Sequence, residues 1–131
     1  MRKLILMSAA ASMLGLHGVA HAAQTISSPA AFGGNVQNRA QCIVRNVGKT
    51  PTSVTVTIHD EAGNALPGSN FCGAPLQPGD NCSVFANIGN NAAYACSATT
   101  SGNAKHLRGT LVILDDVDPG DPEPLRSAEL R

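Results

Sequence analysis

The sequence contains no tryptophan, one tyrosine and three phenylalanines, so aromatic side chains make up only 3% of its 131 residues. Binding of single-stranded nucleic acids relies on aromatic stacking together with a basic surface. Here nine Lys and Arg residues are balanced by nine Asp and Glu residues. The composition therefore argues against nucleic acid as a partner, and equally against polysaccharides that bind on aromatic platforms.

Motifs for an activated nucleophile or a cofactor are also missing. There is no G-x-S-x-G elbow of the kind that presents a catalytic serine. His59, followed by Asp60 and Glu61 at the end of a predicted strand, is the one place where an imidazole stands beside carboxylates. Without a nucleophile motif, solvated turn residues are the favoured interpretation, and a small hydrolase or redox protein is the alternative. We expect no enzyme activity and no cofactor.

No long apolar run follows residue 22, but a short one precedes it. Positive residues at positions 2–3 are followed by an apolar run over 4–16 and by Ala20-His21-Ala22, a small-x-small cleavage site. This order is typical of a secretory signal peptide, and the run is too short for a transmembrane helix. We predict a signal peptide over residues 1–22 and a single domain over 23–131, without membrane association after cleavage. The predicted location is the periplasm or the medium.

The predicted domain contains four cysteines, an even number that favours two disulfides in an exported chain. Zinc is the alternative, but no two cysteines form the close C-x-x-C pair typical of zinc sites. Four cysteines allow three connectivities. Cys72 and Cys82 flank a short segment with a Pro-Gly turn, whereas Cys42 and Cys96 each fall on the inward set of a predicted strand. The resulting hypothesis pairs Cys42 with Cys96 and Cys72 with Cys82.

Between Pro-Gly and Gly-Asn turn signals lie short runs rich in Val, Thr and Ile. Several alternate with a period of two, which is typical of half-buried strands. Val54, Val56 and Ile58 share one face, and a last strong strand covers Leu107 to Leu114. About seven such strands predict an all-β, immunoglobulin-like two-sheet sandwich stapled by disulfides, with a small closed barrel as the alternative. Tyr94 precedes Cys96 by two residues, the spacing of an immunoglobulin tyrosine corner, and an ordinary half-buried core residue is the equal alternative.

A family resemblance covers roughly residues 38–115. It is carried by Asn46-Val47-Gly48, Pro51, Val54-Thr55-Val56, Cys72, the run Leu76 to Val84 and the strand Arg108 to Ile113. These residues resemble ASH-type (Hydin-like) immunoglobulin-like modules, and the whole chain is similar to small exported proteobacterial proteins built from one such domain. The resemblance implies a Cys72–Cys82 disulfide and a structural or binding role. The single module and the additional Cys42 and Cys96 depart from the pattern.

The most unusual local feature is the acidic segment 115–123, which holds five of the nine carboxylates in the chain. Asp116, Asp118 and Asp121 are candidate oxygen ligands for a calcium ion. The segment lacks the spacing of an EF-hand, and its two prolines remove backbone donors. A solvated acidic hairpin or tail is therefore the favoured interpretation, and a calcium-responsive module is the alternative.

These observations together predict a non-enzymatic exported protein. Its expected role is structural, or it binds a protein partner whose identity the sequence does not reveal. Pairing at a strand edge and contacts through loops are the expected modes of binding.

Overall fold

β-Branched residues pack well on a pleated surface, so the Val-, Thr- and Ile-rich runs of this chain form strands. The computed structural model describes residues 22–34, 37–89, 91–115 and 124–131. Within these ranges the elements are β1 (Gln24–Ser27), β2 (Ala31–Gly33), β3 (Arg39–Asn46), β4 (Val54–His59), β5 (Gly68–Asn70), β6 (Asn81–Asn87), β7 (Ala92–Thr100), a 3₁₀ helix (Ala104–His106), β8 (Leu107–Leu114) and β9 (Pro124–Leu130).

The strands form two antiparallel sheets. In the four-stranded sheet, β7 pairs with β1 and β2 along one edge and with β4 along the other. The five-stranded sheet has the order β5-β6-β3-β8-β9. The predicted all-β, two-sheet sandwich is confirmed.

The strand pairing matches an immunoglobulin domain in its centre and departs from it at the periphery. β3 pairs with β6 and β4 with β7, as strands B with E and C with F do in immunoglobulin domains. The first and last strands of that pattern exchange sheets, because β1 pairs with β7 and β8 pairs with β3. The nine strands among the described residues exceed the predicted seven, and β9 is an edge strand that the sequence did not indicate.

Alternating side chains from both sheets form the core, as the period-two pattern predicted. Val54, Val56 and Ile58 are buried, and so are Leu111 and Ile113 of β8. β8 lies between β3 and β9, so it is an inner strand of the five-stranded sheet.

The disulfides join the pairs that the sequence hypothesis proposed. Cys42 of β3 and Cys96 of β7 link the two sheets through the middle of the core, with Cα atoms 6.1 Å apart. Cys72 and Cys82 link the segment after β5 to the start of β6, with a Cα separation of 5.1 Å. Two disulfides fit an oxidising compartment.

Tyr94 forms a tyrosine corner, the first of the two interpretations that its spacing to Cys96 allowed. It is the one aromatic side chain of the buried core, with 4% of its surface exposed. Its hydroxyl accepts a hydrogen bond from the Gly89 amide at 2.9 Å and donates one to the Gly89 carbonyl at 3.0 Å. The amide and the carbonyl of Gly89, in the β6–β7 connection, therefore both have a hydrogen-bond partner in a partly buried region.

Candidate protein-contact surface

The outer face of the five-stranded sheet carries a group of aromatic and cationic side chains. The rings of Phe71 and Phe85 meet edge to face, with centroids 6.0 Å apart and an interplanar angle of 85°. The guanidinium carbon of Arg39 lies 4.3 Å from the centroid of the Phe85 ring, a cation–π distance. We call Phe71, Phe85 and Arg39 the aromatic cluster.

The backbone around the aromatic cluster is held from several sides. The Phe71 amide donates to the Ser83 carbonyl at 2.9 Å, which continues the β5–β6 pairing by one residue. The Asn70 side chain then accepts a hydrogen bond from the Cys72 amide at 2.7 Å. Since Cys72 is bonded to Cys82, the chain on both sides of Phe71 is fixed. The ring is therefore displayed by a rigid hairpin.

The backbone of β5 makes a close contact with β6, the strand that carries Phe85. A Cβ atom at Gly68 would collide with the carbonyl oxygen of Phe85, so glycine is required at this position. Arg39, Gly68, Ser69 and Phe85 take part in lining a cavity of about 450 Å³ beside the cluster. The face thus combines an exposed ring, a cation and a neighbouring depression.

The exposure of Phe71 is the feature that separates this surface from an ordinary sheet face. Its side chain is 67% exposed, and Phe32, on the other sheet, is 46% exposed. Full burial of a Phe side chain contributes about 1.5–3 kcal/mol, so leaving Phe71 in water forgoes most of this stabilisation. Buried aromatic and arginine side chains dominate the energetics of protein interfaces. The cluster does not follow from the sequence pattern, because Phe71 and Phe85 come together only through the pairing of β5 with β6.

The calcium candidates Asp116, Asp118 and Asp121 lie outside the described residues, so the calcium alternative stays a prediction. Within the described part of the chain, no three His, Cys, Asp or Glu side chains are grouped closely enough to hold a metal ion.

The structure places His59 next to a hydroxyl group that sequence analysis did not identify. Its Nε2 lies 2.8 Å from Oγ of Ser97, on the outer face of the four-stranded sheet. The pair borders a cavity of about 280 Å³. Histidine and serine in contact are the first two members of a catalytic triad, so this geometry is relevant to the hydrolase alternative.

The neighbouring carboxylate of Asp60 is committed to its own turn. It accepts hydrogen bonds from the Ala62 amide at 3.0 Å, the Asn64 amide at 2.8 Å and the Asn64 side chain at 3.1 Å. These bonds, the one from the Asn64 side chain first, lower the pKa of Asp60 below its ordinary value. Asp60 and the exposed Glu61 therefore lie in the turn after β4, as the sequence predicted.

Among the described residues, no helix is long and apolar enough to cross a membrane. Comparison of the chain with protein-family models, with curated proteins and with solved structures finds no match.

Proposed function

We propose that this chain is an exported, non-enzymatic module that binds another protein through the aromatic cluster. The observation that carries the proposal is the 67% exposure of Phe71 on a hairpin that a disulfide holds rigid. A rigid anchor loses little conformational entropy on binding, so more of its burial energy contributes to affinity.

Export to the periplasm or the medium is supported by two independent features. Residues 1–22 have the charge, apolar run and small residues of a signal peptide. Both disulfides would be reduced in most cytosols, whereas they persist outside. The resemblance to ASH-type modules, which serve mainly as structural or binding units, agrees with the same role.

A protein partner fits the cluster better than a sugar. Carbohydrates stack on flat ring faces, but the edge-to-face geometry of Phe71 and Phe85 offers no flat double platform. An extended partner segment has a second attachment point, because β5 is the edge strand next to Phe85. A partner strand paired with β5 would extend the sheet and place its side chains beside the rings.

Replacing Phe71 by alanine tests the proposal. We expect capture of the partner from periplasm or medium, measured by crosslinking and quantitative mass spectrometry, to weaken roughly 30-fold, the equivalent of about 2 kcal/mol. The stability of the domain should change by less than about 0.5 kcal/mol, since the side chain is mainly exposed.

Phe32→Ala is the matched control, because it removes an exposed ring from the other sheet. It should leave the captured set unchanged. Equal capture by wild type, Phe71→Ala and Phe32→Ala would argue against the aromatic cluster as the contact surface.

The His59–Ser97 contact favours a second candidate, a small serine hydrolase. Against it, the Asp60 carboxylate is already bonded within its turn. Ser97 also lies in the middle of β7, where its own amide belongs to the strand ladder and forms no oxyanion hole. We expect no labelling by a fluorophosphonate probe. Labelling that disappears in Ser97→Ala but persists in Thr99→Ala would replace our proposal with the hydrolase.

A further inference from the structure

A cavity of about 580 Å³ opens where the edges of the two sheets approach each other. β1 of the four-stranded sheet forms one wall, and the 3₁₀ helix, the start of β8 and the end of β9 form the others. Its volume lies within the range of about 300–1,000 Å³ that is typical of small-molecule sites. We call it the edge cavity.

Hydrogen bonds between distant segments hold the walls of the edge cavity in place. The amide and the carbonyl of Ser27 bond to the carbonyl and the amide of Arg131, both at 3.3 Å, and join β1 to the residue after β9. The Gln24 side chain accepts a hydrogen bond from the Ala104 amide at 3.0 Å and joins β1 to the 3₁₀ helix. The cavity is therefore formed before a ligand arrives, which lowers the entropic cost of binding.

Apolar side chains lie in the depth of the edge cavity, and charged side chains lie at its rim. Ile26 is half-buried, and the other apolar lining residues are buried: Ala104, Leu107 and Leu130. The charged lining residues are all exposed: Lys105, Arg108, Glu129 and Arg131. A molecule with a hydrocarbon part and one charged end matches this arrangement.

The rim of the edge cavity has an excess of positive charge. Glu129 and Arg131 face each other, with 3.7 Å between Oε2 and Nη2, so their charges largely cancel. In the part of the chain that the structure describes, neither Lys105 nor Arg108 forms an ion pair with a carboxylate. The charged end of a matching ligand is therefore an anion.

Arg108 has one edge of its guanidinium group ready for a carboxylate. Its Nη1 donates to the backbone carbonyls of Leu107 at 2.7 Å and Lys105 at 2.9 Å, which fixes the plane of the group. Its Nε and Nη2 have no partner among the described residues. These two atoms can donate parallel hydrogen bonds to the two oxygens of one carboxylate.

An extended peptide matches the edge cavity less well than a small amphiphile. Strand addition needs a run of unpaired backbone groups along a sheet edge. β1 has only four residues, and both backbone groups of Ser27 already bond to Arg131. The edge of β1 that remains open is too short for a partner strand.

We propose that the edge cavity binds a free fatty acid. The hydrocarbon chain lies against Ile26 and the buried leucines, and the carboxylate binds Arg108 at the rim, next to Lys105. The aromatic cluster is remote from this site. Arg39 begins β3, whereas Arg45, directly opposite Arg108, is near the other end of the strand, about 20 Å away. Fatty-acid binding and the proposed protein contact can therefore fail independently.

Titration of the purified exported chain with octanoate, followed by NMR of the backbone amides, tests this. Saturable shifts are expected at Ile26, Ala104 and Arg108, with a Kd below about 1 mM. Acetate has the head group without the chain and should bind at least about tenfold more weakly, because it buries no hydrocarbon. 1-Octanol has the chain without the charge and should also bind about tenfold more weakly, because it forms no charge-assisted hydrogen bonds. Shifts that are absent, or that grow without saturation, overturn the proposal.

Arg108→Gln distinguishes a carboxylate site from a general apolar contact. It should weaken octanoate binding about tenfold and leave 1-octanol binding unchanged. Arg45→Gln is the matched control, because Arg45 lines a neighbouring cavity of about 300 Å³ and not the edge cavity. It should bind octanoate like the wild type. An Arg45 variant as defective as the Arg108 variant would move the anion to the smaller cavity and contradict the proposal.

Ile26→Trp tests the site of the hydrocarbon chain, because the larger side chain fills the edge cavity. It should abolish octanoate binding, and unchanged amide signals outside the cavity show that the variant is folded. The comparison of Arg108→Gln with Arg45→Gln does not depend on this variant.

Two other kinds of ligand are distinguished by the same protein. Cosedimentation with phosphatidylglycerol vesicles, without saturable octanoate binding, would assign the rim to a membrane surface. Tighter binding of tetraglutamate than of octanoate would assign it to an acidic peptide. Either result overturns the fatty-acid proposal.

Discussion

Replacing Cys42 and Cys96 together by alanine is expected to lower the free energy of unfolding by about 4 kcal/mol. The disulfide closes a loop with a sequence separation of 54. In the chain-entropy account, a cross-link over a loop of this length removes about 4 kcal/mol of disorder from the unfolded chain. Both cysteines are fully buried, so the variant also loses packing in the centre of the core.

The loss is large compared with the total stability of a small domain, which is about 5–15 kcal/mol. Tyr94 is the one aromatic side chain among the buried core residues, so the core between the sheets consists mainly of small and aliphatic side chains. It has few large groups with which to compensate for a lost cross-link. We therefore expect the variant to be partly unfolded at about 37 °C.

Urea unfolding followed by circular dichroism measures the effect. Cys72→Ala with Cys82→Ala is the control pair, because its disulfide spans only 10 positions and should cost about 3 kcal/mol. The Cys72 variant should also lose partner capture, since this disulfide holds Phe71. If removal of the Cys42–Cys96 disulfide changed stability by less than removal of the shorter one, the entropic account would be wrong for this protein.

The second large effect is expected for Asn46→Ala, which should destabilise the domain by about 3 kcal/mol or more. Asn46 is fully buried at the end of β3. Its Nδ2 donates to the carbonyls of Thr50 at 2.8 Å and Leu76 at 2.9 Å. Its Oδ1 accepts a hydrogen bond from the Gly48 amide at 2.8 Å. One side chain thus ties two loops to the end of the sheet.

Alanine would remove three hydrogen bonds to the backbone, each of which contributes about 0.5–1.5 kcal/mol. The Gly48 amide would lose its partner, whereas the Leu76 carbonyl keeps the bond from the Thr52 amide and the Thr50 carbonyl keeps the bond from the Thr52 hydroxyl. Each buried polar group that is left unpaired costs about 1–3 kcal/mol, less where water can enter.

The backbone of Asn46 binds the loop before β6 as well. Its amide donates to the backbone carbonyl of Asp80 at 3.0 Å, and its carbonyl accepts a hydrogen bond from the Gly79 amide at 2.8 Å. Loosening these loops therefore affects the start of β6 as well as the β3–β4 connection.

A comparison of the unfolding temperatures of Asn46→Ala and Asn87→Ala distinguishes the loss of this hydrogen-bond network from a general effect of replacing an asparagine. Asn87 is exposed at the end of β6, so its replacement should change stability by no more than about 0.5 kcal/mol. Similar unfolding temperatures for the two variants would show that the three hydrogen bonds of Asn46 contribute little.

Several parts of the structure follow from local patterns. Alternation in β4 and β8 assigned inner and outer faces correctly, because successive side chains of a strand point to opposite sides. The same alternation put Cys42 and Cys96 on inward sets, which made their pairing a reasonable hypothesis. The spacing of Tyr94 to Cys96 left the tyrosine corner and an ordinary core position equally open, and the bonds of the hydroxyl to Gly89 decide for the corner.

Other features depend on which strands become neighbours, and local patterns carry little information about that. The exchange of β1 and β8 between sheets, and the addition of β9, are properties of pairing between distant segments. Asn46 has the sequence context of a polar loop residue, yet the loops that converge on it make it the centre of a buried network.

The sequence alone determined that this protein is an all-β, disulfide-linked chain. Alternation with a period of two is a property of single short segments, and the even number of cysteines does not depend on which strands become neighbours. The tertiary structure decided which surfaces matter. Phe71 meets Phe85 only because β5 and β6 pair in a particular register. Side chains far apart in the chain form a surface only when the backbone hydrogen bonds between strands bring them together.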